Sequence, residues 1–309
     1  MNVGFYLDEM NLRGVANSTY LYALNNKKIL NNQSIIFYNK KNSRNKKKVL
    51  NKFKKKFTII GISNFKEIDL YRTRFNLNFI YTQKSGQKDN WVSKEIKTLV
   101  HAVYPQKLSQ IHGHNYAYIS EWLSLKFSNK KIPFIPLITE SKKIKLNLRK
   151  KLKIKKNNLV FGCHGGSSSF DMKFVKSAVI NTVKSRKNIF FLFLNIDKFY
   201  NHPQIIYLKG TTNEKLKKKF VNTCDAMLYG RSLGESFGLA CSEFAIMNKN
   251  IISYRFNRHR SHAYNISKKN FIEYGSYSSL CNLLLNYKKK NYKYNSKYKK
   301  YTERKVMID

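Results

Sequence analysis

Short apolar runs alternate along this chain with longer segments whose apolar residues recur every three or four positions, the rhythm of strands feeding helices and helices returning to strands. In the first half, "NVGFYL" (2–7) reads as a strand, "NSTYLYALNNKK" (17–28) as a helix and "SIIFY" (34–38) as the next strand. "FTIIGI" (57–62) and residues within 75–81 supply further strands. "SQIHGHN" (109–115) ends another apolar approach, a helix is expected over 116–127, and the apolar "IPFIPLI" (132–138) follows it. The second half restarts the pattern. "NLVFGCHGG" (158–166) is a strand running into a glycine turn, and 171–187 is a helix with Phe174, Val175, Ala178, Val179 and Val183 on one face. Strands are expected at 189–195, 204–208, 225–230 and 250–254, and helices at 213–224 and 236–248.

The regular rhythm breaks between 139 and 157, where the chain turns polar and Lys-laden. This stretch predicts a boundary near 145–155, giving an α/β domain over 1–150 and a second, doubly wound one over 151–285. The remainder, 286–309, is a basic Lys/Tyr-rich tail expected as an exposed helix or an arm for anionic surfaces.

Composition narrows the classes. At 309 residues with 42% hydrophobic residues, two domains each bury a core, and disorder is excluded. The 60 Lys+Arg against 17 Asp+Glu leave a formal charge of +43. Lys, Asn and Ile recur throughout, which marks compositional drift, yet any surface so basic attracts polyanions: nucleic acid, an anionic membrane face or a phosphorylated substrate. The four cysteines form no CxxC pair, which argues against a disulfide framework or zinc knuckle and for buried thiols in a reducing compartment. The start lacks a basic leader, and the longest apolar run, 189–196, falls short of the about 20 residues of a membrane span. A cytoplasmic protein, at most peripheral to the inner face of a membrane, is the expectation.

The candidate chemistry gathers at "GESFGLACSEF" (234–244), where an acid-poor chain sets Glu235 and Glu243 on either side of a glycine turn. A helix starting near Ser236 offers its free N–H groups and positive dipole end to a phosphate, and Gly238 leaves room for a ligand to approach the backbone. With both glutamates on or next to that helix, they stand about 12 Å apart along its axis. That is too far for two carboxylates sharing one glycosidic bond, which sit roughly 5–10 Å apart. The spacing instead suits a ligand with hydroxyls at both ends and phosphates between.

"GESFGLACSEFAIMNKNIIS" resembles the E-x7-E region of retaining GT-B glycosyltransferases, and "HGHNYAYISEWLS", "FGCHGGSSSFDMKFV" and "CDAMLYGRS" extend the likeness over roughly 1–265, as a less-studied branch of that superfamily. The resemblance implies two Rossmann-like doubly wound domains facing a cleft, and transfer of a sugar from a nucleotide-sugar co-substrate with retention. It implies that Glu235 contacts donor-sugar hydroxyls near the reacting centre, that Glu243 binds the ribose, and that Ser236, Phe237, Gly238 and Leu239 receive the diphosphate. Lys173 matches the family's phosphate-loop lysine. No arginine stands beside it, so His164, the Gly165–Gly166 amides and Arg231 are the candidates to replace one. Gly14 matches the glycine loop before the first helix, with Asn17 as a cap or ligand contact. His114 of "HGH" matches a histidine near the donor sugar or acceptor. Lys84 and Asp89 are read as acceptor-side residues or a solvated loop. With no D-x-D at a strand end, neither a metal nor another cofactor is expected, and Lys173, backbone amides and the helix dipole offset the leaving charge. The acceptor is a glycan, a lipid-linked molecule or a protein. Two other readings stand beside this one: a basic nucleic-acid-binding protein, against which no binding module is found, and a same-fold epimerase or hydrolase of nucleotide sugars.

Overall fold

The structure, a computed structural model, describes residues 1–139, 144–289 and 296–308. It divides into two compact units: residues 1–138 with the described residues from Tyr301 onward, and residues 139–300. Set beside the expected boundaries at 150 and 285, the division falls ahead of the Lys-rich stretch, and the residues past 285 are shared between the units. The Lys-rich stretch belongs with the second unit because its few apolar and polar anchors are stitched there. Leu148 and Ile154 are buried, the Leu148 N–H donates to Thr223 Oγ1 (2.8 Å), and Arg149 pairs with Asp225 (2.8 Å).

In the first unit the chain forms β1 (Asn2–Leu7), α1 (Gly14–Lys28), β2 (Gln33–Asn39), α2 (Lys47–Lys54), β3 (Thr58–Ile62), the single turn α3 (Arg72–Phe75), β4 (Phe79–Lys84), β5 (Lys97–Ala102), β6 (Asn115–Tyr118) and α4 (Glu121–Ser128). The strands make one parallel sheet in the order β3-β2-β1-β4-β5-β6. Its core residues Ile36, Phe37, Ile80 and Val100 are wholly buried, each worth about 1.5–3 kcal/mol of transfer from water. The helix expected at 116 begins only at Glu121. Residues 115–118 pair with β5 instead, and Ser120 caps the helix by accepting the Leu123 N–H (3.3 Å). α1 starts earlier than expected, at Gly14, so Asn17 lies inside it and does not cap it; its side chain accepts from Lys52.

The second unit runs β7 (Leu159–His164), α5 (Lys173–Ser185), β8 (Ile189–Leu194), β9 (Ile205–Leu208), α6 (Glu214–Thr223), β10 (Ala226–Leu228), β11 (Gly234–Glu235), α7 (Leu239–Ile246), β12 (Asn250–Tyr254), β13 (His259–Arg260), α8 (Ser261–Asn265), β14 (Phe271–Tyr274) and α9 (Tyr277–Leu285); α10 (Glu303–Ile308) is counted with the first unit. Its main sheet is again parallel, in the order β14-β12-β10-β7-β8-β9, and β11 pairs with β13 beside it. The expected amphipathic face of α5 is the one buried: Val175, Ala178, Val179 and Val183. All four cysteines are buried free thiols. Among the described residues, no helix is long and apolar enough to cross a membrane.

Candidate functional site

Within the second unit, successive strands step from β7 to β8 to β9 on one side, and the chain then returns to place β10 on the other side of β7. The carboxyl ends of the two strands flanking such a reversal are where open parallel sheets take their ligands. Here β7 ends in His164, followed by Gly165 and Gly166, and β10 leads into Tyr229, Gly230 and Arg231.

Glu243 sits in the second turn of α7 and joins three elements. Its Oε1 lies 2.8 Å from Lys217 Nζ on α6, and its Oε2 lies 2.9 Å from His164 Nε2 at the end of β7. Lys217 also meets Glu214, one turn earlier on α6, at 3.0 Å. Burial works to raise the Glu243 carboxyl, but the Lys217 and His164 charges outweigh it and hold the group at about 2. Burial likewise works to lower the Lys217 ammonium, and Glu243 and Glu214 outweigh it and raise it above its ordinary value. The His164 ring is in place because it stacks on Phe244 and meets Phe220 edge-on.

Glu235 is not on the helix. It lies on β11, where the Tyr229 hydroxyl donates to its Oε1 (2.7 Å) and Arg231 stands 3.6 Å away. Burial, then the Glu235 charge, pushes the Tyr229 hydroxyl well above its ordinary value, so it remains a donor. The segment between is held by side chains the motif does not include. Asn257 donates to the carbonyls of Arg231 (2.8 Å) and Ser232 (3.0 Å), and Asp171 accepts from the Ser232 N–H (2.8 Å) and hydroxyl (3.1 Å).

The helix expected from Ser236 begins at Leu239, because Gly238 holds φ at 93°, a left-handed conformation that no α-helix contains, and serves as the N-cap. The expected 12 Å separation of the two glutamates along one axis therefore does not apply, since one is on a strand and the other on a helix. Ser236 and Phe237 are buried, and Leu239 is half-buried. The open side expected at Gly238 is filled: a Cβ there would stand 2.8 Å from the Tyr298 hydroxyl and 3.2 Å from His262 Cβ. Gly234 is equally constrained, with φ 77° and the His259 carbonyl 2.0 Å from where a Cβ would be.

Gly165 and Gly166 form the turn after β7, pinned where Asn195 donates to the Gly165 carbonyl (2.7 Å) and the Ser169 N–H to the Gly166 carbonyl (2.9 Å). Lys173 is exposed at the first position of α5. Thus Glu243, His164, the two glycines, the α7 N-terminus, Arg231 and Glu235 follow from the ends of β7 and β10, with Lys173 opening the helix after β7. Lys217, Tyr229, Asp171 and Asn257 were missed by sequence reasoning. The one signal for Lys217 was its place, three residues after Glu214, on an amphipathic helix.

In the first unit the picture differs from expectation. Lys84, expected in a solvated loop or facing an acceptor, ends β4 with its side chain buried, ion-paired to Asp89 and 5.7 Å from the Trp91 ring centroid. Burial lowers its ammonium, with Asp89 opposing. His112 Nε2 lies 3.8 Å from Asp89. His114 is exposed, and it precedes β6 rather than ending a strand. Its Nδ1 accepts the N–H of Thr98 (3.1 Å), near the start of β5. It therefore lies at the amino edge of the parallel sheet, whereas Lys84 lies at the carboxyl end of β4; the turn at Gly113 (φ 82°) brings the chain in at that edge. Gly14 opens α1 and is exposed. Among the described residues, no three His, Cys, Asp or Glu side chains group as a metal site would.

No protein-family model matches the sequence, and no curated protein matches it. Solved structures do match. A glycosyltransferase from Rickettsia africae ESF-5 is 14% identical with a TM-score of 0.67 over 91% of this chain and 86% of that one. Alr3699/HepE from Anabaena, in complex with UDP-glucose, is 9% identical with a TM-score of 0.68 over 92% and 88%. A Listeria monocytogenes protein described as a UDP-N-acetylglucosamine 2-epimerase is 10% identical with a TM-score of 0.57 over 92% and 87%. Likenesses at such low identity establish the fold: two Rossmann-like α/β units with parallel sheets, of the GT-B kind.

Proposed function

We propose that this chain is a hexosyl- or related glycosyltransferase that moves a sugar from a nucleotide-sugar donor to a glycan, lipid-linked or protein acceptor. One observation carries the reading. At the strand reversal of the second sheet, a helix N-terminus capped by Gly238 stands between a carboxylate on β11 and a carboxylate held by Lys217 and His164. That arrangement supplies acceptors for hydroxyls on either side of a row of backbone N–H donors for phosphate. The likeness to a protein crystallised with UDP-glucose supports the same ligand class.

In this reading Glu235 receives the donor sugar and Glu243 the ribose, while the α7 amides, Arg231, Lys173 and the Gly165–Gly166 turn offset the diphosphate charge as it leaves. The reaction proceeds with retention and without a metal. The acceptor is bound through the first unit, where Asp89 is the exposed member of the Lys84 pair. The protein works in the cytoplasm, and its +43 charge draws it to anionic membrane faces. The likeness to an epimerase supports a second reading, in which the same site rearranges the nucleotide sugar without transferring it.

The test begins with thermal-shift screening of UDP, GDP, ADP and their sugars, since a ligand of the folded state raises its melting temperature. The donor so found is then given to wild type and to Glu235→Gln. Turnover is expected to fall by about 100-fold or more in the variant, from loss of a group aimed at the reacting sugar. Undiminished turnover overturns the role of Glu235. Epimer without transfer product selects the second reading, and EDTA is expected to leave the rate unchanged.

A further inference from the structure

The described stretch 296–300 comes from the basic Lys/Tyr segment, yet it is built into the second unit against the start of α7. Tyr298 is fully buried within the single helical turn Lys297–Lys300. Its carbonyl accepts from Thr139 Oγ1 (2.6 Å), and its N–H donates to Ser296 Oγ (3.2 Å), which in turn donates to the Asn265 carbonyl (2.9 Å). Its ring meets Phe237 edge-on at 5.4 Å, and its hydroxyl donates to the Phe237 carbonyl.

That last bond has a geometric consequence. The Phe237 carbonyl and the Gly238 N–H belong to one planar trans peptide and point in opposite directions. Holding the carbonyl therefore aims the N–H. Gly238 has a backbone free to take φ 93° and no Cβ, and a Cβ would stand 2.8 Å from the Tyr298 hydroxyl. The glycine and the tyrosine thus fit as one unit, and the bond occupies the carbonyl side of the turn.

We infer that Tyr298 is a positioning residue of the nucleotide-sugar site: by fixing the Phe237 carbonyl it aims the Gly238 N–H and the first-turn amides of α7 at the diphosphate. The C-terminal segment, read from sequence as a tail outside the enzyme core, is then a component of the donor site. This inference rests on the reading of the α7 N-terminus as the phosphate seat.

Tyr298→Phe in the full chain keeps the ring and removes the hydroxyl. Two readouts separate the packing claim from the ligand claim. In the ligand-free protein, amide hydrogen exchange over 237–241 is expected to rise about tenfold, the worth of a typical buried hydrogen bond, while β7 and β8 keep their protection. The Kd of whichever of UDP, GDP and ADP binds wild type most tightly is expected to rise about tenfold, the same bond's worth carried into ligand binding. Unchanged exchange over 237–241 overturns the inference. Raised exchange with an unchanged Kd also overturns it, since the turn is then held for packing alone. Raised exchange together with no binding of any of the three nucleotides by wild type overturns the proposed function instead. Should Tyr298→Phe melt globally, Thr139→Val loosens the same segment away from α7 and gives the same comparison with smaller shifts.

Discussion

Counted within each unit, the two main sheets have the same strand order, 3-2-1-4-5-6, and they carry opposite chemistry where that order reverses. In the first unit, β1 runs into Asp8 and Glu9. Asp8 accepts from Asn39 (2.8 Å) and Asn42 (3.0 Å), and Glu9 pairs with Arg44 (2.5 Å). In the second, β7 runs into His164 and two glycines, and Arg231 follows β10. The ion pairs are inverted as well. The first unit buries a lysine, Lys84, against one carboxylate, while the second holds a carboxylate, Glu243, between Lys217 and His164. At the first reversal two carboxylates directly follow β1; at the second, His164, two glycines and the N-terminus of α7 follow, with Glu235 and Glu243 each set against a cation. Under the proposed function, the same backbone serves the anionic ligand in one unit only, through a handful of side chains.

The widest gap between the units is expected on removing the carboxylate. Glu243→Ala takes from Lys217 and His164 their shared partner, though Lys217 keeps Glu214, so the cost is expected at about 3 kcal/mol, the lower end for breaking a buried pair. Denaturant unfolding of the variant measures it, and the same protein is expected to lose nucleotide binding. A cost below about 1 kcal/mol would place Glu243 among ordinary surface ion pairs and erase the contrast.

How much of this was readable beforehand follows from what kind of contact each feature needs. β1, β2, β3, β7, β8 and β12 are apolar runs that announce themselves, and the helix face of α5 is periodic. β5 was hidden because "KTLVHA" carries Lys97, Thr98 and His101 among its six residues. His101 is a satisfied core residue, with Nε2 donating to the Ile135 carbonyl (2.8 Å) and Nδ1 accepting from Tyr81 (2.6 Å). β6 was taken into a helix since four residues are too few to show a period. At the site, the two glutamates and the glycine turn were legible because they are local. Lys217, Asp171, Asn257 and Tyr298 reach it from 26 to 61 positions away, as their bonds or ion pairs with Glu243, Ser232, Arg231 and Phe237 show. No short-range pattern encodes such distances. The start of α7 was misplaced for a subtler reason: "SFGL" is apolar enough to continue a helix, and only the backbone at Gly238 stops it.

Acid is expected to sharpen the contrast by a smaller amount. The Glu243 carboxyl, held at about 2 in the folded protein, has an ordinary unfolded value near 4.3, so the unfolded chain takes up its proton first. Its contribution is fully present above about pH 4.5 and is lost as the pH falls towards 2, an amount of about 2–3 kcal/mol. Lys217 is raised, so its contribution is present throughout that range and disappears only above the ordinary lysine value. Stability measured from pH 6 to 2 for wild type and Glu243→Gln is expected to diverge least at the acid end. Parallel curves would show that the carboxylate is not held by its neighbours.

The smallest effect tests the other side of the comparison. In the first unit, Asp89→Asn removes the partner of a buried lysine that burial already pushes towards its neutral form. Lys84 can shed its proton and stay buried, so the cost is expected at about 1–3 kcal/mol, the range for a buried polar group left poorly paired. Lys84→Met replaces the ammonium with an apolar chain of similar length beside the Trp91 ring, and is expected to be within about 1 kcal/mol of wild type. The decisive readout is the nucleotide Kd, expected to be unchanged in both variants. If either variant weakens nucleotide binding as Glu243→Ala does, the anionic ligand is not assigned to the second unit alone, and the opposite charges at the two strand reversals do not explain where it binds.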